Sequence, residues 1–142
     1  MQAQSLKNHA QIVPGFHYVT LVLLLAVIIG AGINLANAPQ VQFLAAALLL
    51  VLSIAVMLLA FFARGFALKA QDRAIRVEEN FRHFIATGKP FDSSLKMGQI
   101  IALRFASDAE FVTLVKKATS EKLSAKEIKQ AITTWKADYN RA

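Results

Sequence analysis

The chain has no charged residue between Lys7 and Arg64, a gap of 56 of its 142 residues. Two apolar blocks lie within this gap, HYVTLVLLLAVIIGAGINLA and VQFLAAALLLVLSIAVMLLAFFA, and only NAPQ separates them. A soluble core does not need uninterrupted apolar runs of about 20 residues, whereas a bilayer with about 30 Å of hydrocarbon does. The missing charge therefore predicts an all-α protein anchored by a transmembrane helical hairpin.

Cysteine is absent altogether. This absence excludes disulfides, iron–sulfur clusters, thiolate zinc sites and thiol catalysis. The sequence also lacks a nucleophile elbow, a phosphate loop and a standard metal motif. Because no Asp, Glu, Lys or Arg lies inside the two apolar blocks, a proton relay or ion-coupled carrier is not expected. We predict that the protein is not an enzyme and has no catalytic residue, cofactor or metal site.

A cleaved signal peptide is the main alternative to the first membrane span. Ala36-Asn37-Ala38 has the small-residue pattern that precedes cleavage. Pro39 would then follow the cut, which is a poor position for a peptidase, and the apolar block is longer than a usual signal sequence. We therefore expect an uncleaved hairpin.

The charges that are present lie almost entirely in the second half. All 9 acidic residues and 15 of the 16 basic residues stand at or after Arg64. The connection between the spans is uncharged, and the second span is followed by four basic candidates for headgroup contact: Arg64, Lys69, Arg73 and Arg76. By the positive-inside rule, both termini are expected in the cytoplasm.

These patterns divide the chain into four segments. They are an interfacial N-terminal segment (1–15), the transmembrane hairpin (16–63), a cytoplasmic extension of the second helix (64–88) and a small C-terminal helical bundle (89–142). In the first span, Ala26, Gly30 and Asn34 recur every four residues. Small residues at that spacing let helices approach closely in lipid, so we predict a helix-packing stripe.

The second helix has no stop signal at the membrane surface. Its apolar positions continue at a helical spacing: Phe66, Ala70, Ala74 (or Arg73), Val77, Phe81 and Phe84. Thr87-Gly88-Lys89-Pro90 then ends the helix with Gly followed by Pro. We expect the C-terminal bundle to pack on this stripe. A second copy, another protein or, after a bend at Gly65, the membrane surface are the alternatives.

Three shorter helices are predicted after the extension. They are LKMGQIIALRFA, capped by Asp92, Ser93 or Ser94, then DAEFVTLVKKATSEK and AKEIKQAITTWKADY. Ser107 with Glu110, and Ser124 with Glu127, form capping boxes at the starts of the last two. The apolar pattern of the last helix reaches Trp135, and Tyr139 extends it.

His9 and His17 flank Pro14 near the predicted cytoplasmic interface. They are the candidates for binding a cofactor or lipid, although their spacing matches no metal motif. The alternative is that both are interfacial residues that hydrogen-bond to headgroups or loops.

Two stretches resemble a known family. The N-terminal stretch has a K-N-H…P…H arrangement formed by Lys7, Asn8, His9, Pro14 and His17. The C-terminal stretch has L-R-F-A at 103–106, L-S-x-K-E-I-K at 123–129 and W-x-x-D-Y at 135–139. Together they resemble small bacterial membrane proteins grouped as a domain of unknown function. The resemblance implies a bacterial two-span protein without an assigned role, and it marks the N-terminal arrangement as one unit.

The leading hypothesis is a scaffold or accessory subunit of the bacterial inner membrane, acting through its cytoplasmic helices. Its expected partners are membrane lipid and either further copies of itself or a larger membrane complex. One alternative is a lipid- or cofactor-binding subunit with His9 and His17 at an interfacial pocket. Another is a membrane-tethered binder of nucleic acid or anionic lipid, which the excess of 15 basic over 9 acidic residues at and after Arg64 would favour. Because no recognition helix is evident, nucleic acid is not an expected partner.

Overall fold

The computed structural model describes residues 4–6, 8 and 12–139. Throughout this part of the chain the fold is helical. The five α-helices are α1 (Leu21–Ala36), α2 (Phe43–Thr87), α3 (Met97–Leu103), α4 (Asp108–Ser120) and α5 (Ala125–Ala131). A π-helical stretch, Gly15–Thr20, leads directly into α1. The described residues form no strand, and a single antiparallel bridge joins Ala106 to Trp135. The all-α prediction is confirmed.

The described residues fall into two compact units. We call Ile12–Ala67 the apolar unit, and Met1–Gln11 with Leu68–Ala142 the charged unit. The apolar unit contains α1 and the first part of α2, while the rest of α2 belongs to the charged unit.

Two helices are long and apolar enough to cross a membrane: Gly15–Ala36, with 22 residues, and Phe43–Thr87, with 45. Only 6% and 11% of their most apolar windows is buried within the chain. The core helix of a soluble protein would be mostly buried, so these values favour a lipid environment. The buried positions in this unit are small: Ala31, Ala46 and Ser53. The Ser53 hydroxyl donates to the carbonyls of Leu49 and Leu50 in its own helix, at 2.8 and 2.9 Å.

The end of α2 lies where the sequence predicts it. The helix ends at Thr87 and is followed by Gly88, whose φ is 71°. Glycine tolerates this left-handed conformation because it has no Cβ. The Gly88 amide donates to the Phe84 carbonyl at 2.7 Å, which satisfies one of the last open acceptors of the helix.

The core of the charged unit brings α3, α4, α5 and one residue of α2 together. Its fully buried large side chains are Phe105, Phe111, Ile75, Leu103 and Ile128. The contribution from α2 differs from the expected one. Ile75 is buried in this core, whereas Val77, Phe81 and Phe84 are exposed. The expectation that the C-terminal helices cover the apolar stripe of α2 is therefore wrong. They pack on the opposite face of the helix.

The predicted capping boxes are present at α4 (Ser107 with Glu110) and at α5 (Ser124 with Glu127). The predicted cap of α3 is wrong. The N-cap of α3 is Lys96, whose amide donates to the Gln99 side chain at 2.7 Å. Asp92 instead accepts a hydrogen bond from the Ser94 amide in the preceding turn, at 2.8 Å.

The last helix is much shorter than predicted, because α5 ends at Ala131 and Ile132 is extended. The Glu110 carboxylate accepts the amides of Thr133 and Thr134, both at 3.0 Å, and the Thr133 hydroxyl at 2.6 Å. In a continued helix these two amides would bond to carbonyls four residues earlier. The segment then runs beside residues 105–107. The Ser107 amide donates to the Thr134 carbonyl at 3.1 Å and the Lys136 amide to the Phe105 carbonyl at 2.8 Å.

Candidate functional site

One face of α2 in the charged unit carries four large apolar side chains that nothing in the described chain covers. Val77, Phe81, Phe84 and Ile85 are 69%, 62%, 48% and 70% exposed, and we call them the apolar face of α2. Each of them lies three or four residues from another member of the set, which places all four on one side of the helix. Grouped large apolar residues of this kind mark interaction sites more often than scattered ones do.

The opposite face of α2 is polar and buried, and Arg82 lies at its centre. Its side chain is 15% exposed and that of Glu79 is 7% exposed, and their ion pair measures 3.1 Å. The Arg82 guanidinium also donates to the Ala106 carbonyl and the Asp108 carboxylate, each at 2.8 Å. Its central carbon lies 4.0 Å from the centroid of the Phe111 ring. Arg82 therefore joins α2 to the start of α4 through charge, hydrogen bonds and stacking.

A second arginine pairs α2 with the C-terminal segment. Arg104 lies 3.0 Å from the Asp138 carboxylate and 3.7 Å from that of Glu78. Asp138 also fixes the N-terminal segment, because its backbone amide and carbonyl bond to the Gln4 side chain at 2.9 and 3.0 Å. A cavity of about 340 Å³ lies among these ionic groups, and Lys136 also lines it. Sequence patterns did not predict this cluster. The i, i+3 spacing of Glu79 and Arg82 was the local signal for it.

His83 is buried and has a structural role. It is 8% exposed, and its Nδ1 lies 2.8 Å from the Lys89 carbonyl. Its ring lies against Phe91 and Phe111, with centroid distances of 5.0 and 6.3 Å. These contacts hold the turn that follows α2 against the core.

Two carboxylates of α4 have lowered pKa values. Partial burial raises the pKa of Glu110, but hydrogen bonds from Thr133, Thr134 and Ser107 outweigh burial, so that the pKa lies below the ordinary 4.5. A hydrogen bond from Arg82 and its positive charge lower the pKa of Asp108. Hydrogen bonds and an ion pair within the chain explain both lowered pKa values, so we assign both carboxylates a structural role.

The predicted histidine site is described only in part, because His9 lies outside the described residues. The Nδ1 of His17 lies 3.1 Å from the Val13 amide and 3.0 Å from its carbonyl. His17 lines an apolar cavity of about 130 Å³ together with Phe16, Thr20, Leu21, Leu24, Met57, Ala60 and Phe61. We call this cavity the interfacial pocket. Arg64 lies beside it, 5.7 Å from the centroid of the Phe16 ring.

The remaining predicted site residues are exposed or half-buried. Ala26, Gly30 and Asn34 are exposed on α1, where Ala31 is the buried residue. Their side of the helix is open to a partner outside this chain, and the packing role stays a prediction. Among the headgroup candidates, Arg64 is half-buried, and Lys69, Arg73 and Arg76 are exposed.

The described part of the chain shows no arrangement that specifies a reaction. It contains no group of three His, Asp or Glu side chains that could hold a metal ion. An open cavity of about 660 Å³ lies between α3 and the turn that joins α4 to α5, and its ionisable lining residues are Lys96 and Lys122. Two lysines without a carboxylate or imidazole do not form an acid–base pair.

The fold and these sites define a class: an all-helical protein with two helices apolar enough to span a membrane, joined to a polar helical unit. The chain belongs to DUF6526, a family of unknown function, whose profile matches residues 1–142. No curated protein and no solved structure matches the chain.

Proposed function

We propose that this protein is a non-enzymatic membrane protein that serves as a scaffold or accessory subunit and binds a protein partner through the apolar face of α2. One observation carries the proposal. Val77, Phe81, Phe84 and Ile85 are 48–70% exposed, although the charged unit has its own core on the other side of the helix. When a partner removes large apolar side chains from water, the free energy falls by about 25 cal/mol per Å² of apolar surface buried.

In this proposal the apolar unit is a transmembrane hairpin. The interfacial pocket supports it, because the pocket is lined both by the start of the first apolar helix and by residues 57–61 of α2. The contact between Arg64 and Phe16 is also at this end. Helices joined by a short connection that meet in this way are antiparallel neighbours.

The proposed orientation follows from charge. The basic residues after the second span favour an orientation with both termini in the cytoplasm of a bacterium and the uncharged connection outside the inner membrane. Lys69 and Arg76 are exposed, and in this orientation both can contact acidic lipid headgroups. Lipid therefore contributes to positioning, while the apolar face binds the protein partner.

The test is the mass of the assembly that the full-length chain forms when it is extracted from its native membrane with a mild detergent. The perturbing variant replaces Val77, Phe81 and Phe84 with serine. The matched control replaces Lys116 and Lys117, two exposed residues of α4, with serine. We expect wild type and control to run as one assembly larger than a single chain, and the triple variant to run as a single chain.

A folding check accompanies this test. Trp135 is the only tryptophan and lies 5.2 Å from Phe105 in the core, so its fluorescence reports whether the charged unit is folded. The proposal requires native fluorescence in the triple variant. A wild-type protein that runs as a single chain with nothing bound would contradict the proposal.

A second candidate function is favoured by the interfacial pocket, which would bind a hydrocarbon chain or a small apolar cofactor beside His17. Its lining is almost entirely apolar, and the imidazole supplies a polar group at one side. Mass spectrometry of the purified protein should then find one ligand that His17→Ala loses and Lys116→Ala retains. A protein that carries no ligand would contradict this candidate.

A further inference from the structure

Three of the four residues of the apolar face of α2, Val77, Phe81 and Phe84, belong to a longer repeat that has the spacing of a coiled coil. Within the charged unit, α2 places apolar residues in a 4-3-4-3 repeat at Ala70, Ala74, Val77, Phe81 and Phe84. Such a repeat corresponds to alternating d and a positions of a heptad, which interlock with the same positions of another helix. All five residues are exposed. The small residues at 70 and 74 also permit close approach of a partner backbone.

The residues that flank this repeat have opposite charges. With Ala74 and Phe81 at a positions, Arg73 is at g and Glu78 is at e. Both are exposed, and the Glu78 side chain remains 60% exposed beside Arg104, from which its carboxylate lies 3.7 Å away. In a parallel pair, a g residue lies beside the e residue five positions later in the partner. Arg73 of each copy would therefore lie beside Glu78 of the other copy.

We propose that the apolar face of α2 binds the same face of a second copy of this chain, as a parallel, in-register coiled coil with two Arg73–Glu78 pairs. This inference rests on the proposed function, because it names the occupant of the same face. The membrane anchor favours this geometry. Two copies inserted in one bilayer have the same orientation, and confinement to the membrane raises the effective concentration of each for the other. An antiparallel pair would instead bring g residues beside g residues, so that like charges could meet.

The absence of cysteine makes the proposal directly testable. Single-cysteine variants Ala74→Cys, Val77→Cys and Phe81→Cys lie on the repeat, and Arg76→Cys is the exposed control at a c position. Full-length variants in native membranes are treated with a mild oxidant and analysed on a non-reducing gel. Because disulfides need Cβ atoms about 4 Å apart, we expect at least about fivefold more covalent dimer for the three repeat variants than for Arg76→Cys.

A charge exchange tests the register. In the Ala74→Cys background, Arg73→Glu should lower the dimer yield, because it places like charges beside each other. Adding Glu78→Arg should restore the yield, because the exchanged pairs are again opposite in sign. A yield that the exchange fails to restore would overturn the parallel register.

The remaining outcomes separate this inference from the proposed function. Equal cross-linking at all four positions would indicate random collision and overturn the second-copy proposal. Absence of cross-links in a protein that still forms a larger assembly would assign the face to a different protein, which overturns this inference and leaves the proposed function intact. A wild-type single chain with nothing bound would overturn both.

Discussion

Replacement of Arg82 with alanine should strongly destabilise the charged unit. The variant removes the ion pair with Glu79, the hydrogen bond to the Ala106 carbonyl and the contact with the Phe111 ring. It leaves the Glu79 carboxylate buried, with its side chain 7% exposed. Hydrogen bonds to charged groups contribute about 1.5–3 kcal/mol, and breaking a buried pair costs about 3–5 kcal/mol. Because Arg82 is 15% exposed, we expect a loss of about 3 kcal/mol in unfolding free energy.

The assay is equilibrium unfolding of the full-length protein in a mild nonionic detergent, followed by the fluorescence of Trp135. Asp108→Ala is the matched control, because it breaks the same arginine's pair with a carboxylate that is 81% exposed. Water screens an exposed ion pair, so the control should lose little stability. Arg82→Lys should fall between the two, since lysine retains the charge and loses the planar fork. Equal losses in Arg82→Ala and Asp108→Ala would refute the argument that burial makes this arginine important.

Four further variants test the packing of the charged unit with the same assay. Glu110→Gln should be less stable than wild type near neutral pH. This difference in stability should narrow as the pH falls below 4.5, because the lowered pKa of Glu110 in the folded state contributes stability that protonation removes. A difference in stability that does not depend on pH would contradict this prediction. Gly98→Ala should stabilise the charged unit by about 0.5–1 kcal/mol through helix propensity. The added Cβ has room, because it would lie 3.8 Å from the Cβ of Ala125, an ordinary van der Waals distance. Gly88→Ala should instead destabilise by about 1–2 kcal/mol because its φ of 71° is left-handed, and equal effects at both glycines would contradict this account. Ile75→Ala should cost about 2–5 kcal/mol, because the side chain is 1% exposed; a loss below about 1 kcal/mol would remove Ile75 from the core.

The helical elements were predictable where the signal is local. Glycine and proline after α2 predicted its end, because the left-handed residue at 88 needs no distant contact. The capping boxes of α4 and α5 were predictable for the same reason, since Ser107 and Ser124 bond within one helical turn. The two apolar helices follow from length and composition alone.

The end of α5 was not predictable from its own sequence, because its cause lies in another helix. The pattern through Ile132 and Trp135 is helical in period, and both residues do pack on the core. However, Glu110 of α4 binds the amides of Thr133 and Thr134, and this competes with the helical hydrogen bonds that those amides would otherwise make. A local pattern does not contain that competition.

The packing of α2 was mispredicted because hydrophobic periodicity assumes that the apolar side of a helix faces the core. In this protein the side of α2 that faces the core carries Ile75 together with three polar residues, Glu79, Arg82 and His83. The polar atoms of these three side chains have partners inside the chain. Buried polar groups are acceptable when they are paired. Their pairing is a tertiary property, and so the apolar face, the main candidate site, was identified as uncovered only by the structure.

In the proposed arrangement, an uncharged hairpin anchors the charged unit on the cytoplasmic side of a membrane. The most direct measurement is the labelling of single cysteines in intact cells with a maleimide that cannot cross membranes, since wild type has no cysteine to react. The account predicts that Ala38→Cys, in the connection between the spans, is labelled in intact cells. It also predicts that Ser120→Cys, exposed at the end of α4, is labelled only after the membrane is permeabilised. Labelling of Ser120→Cys in intact cells, or protection of Ala38→Cys until permeabilisation, would contradict it.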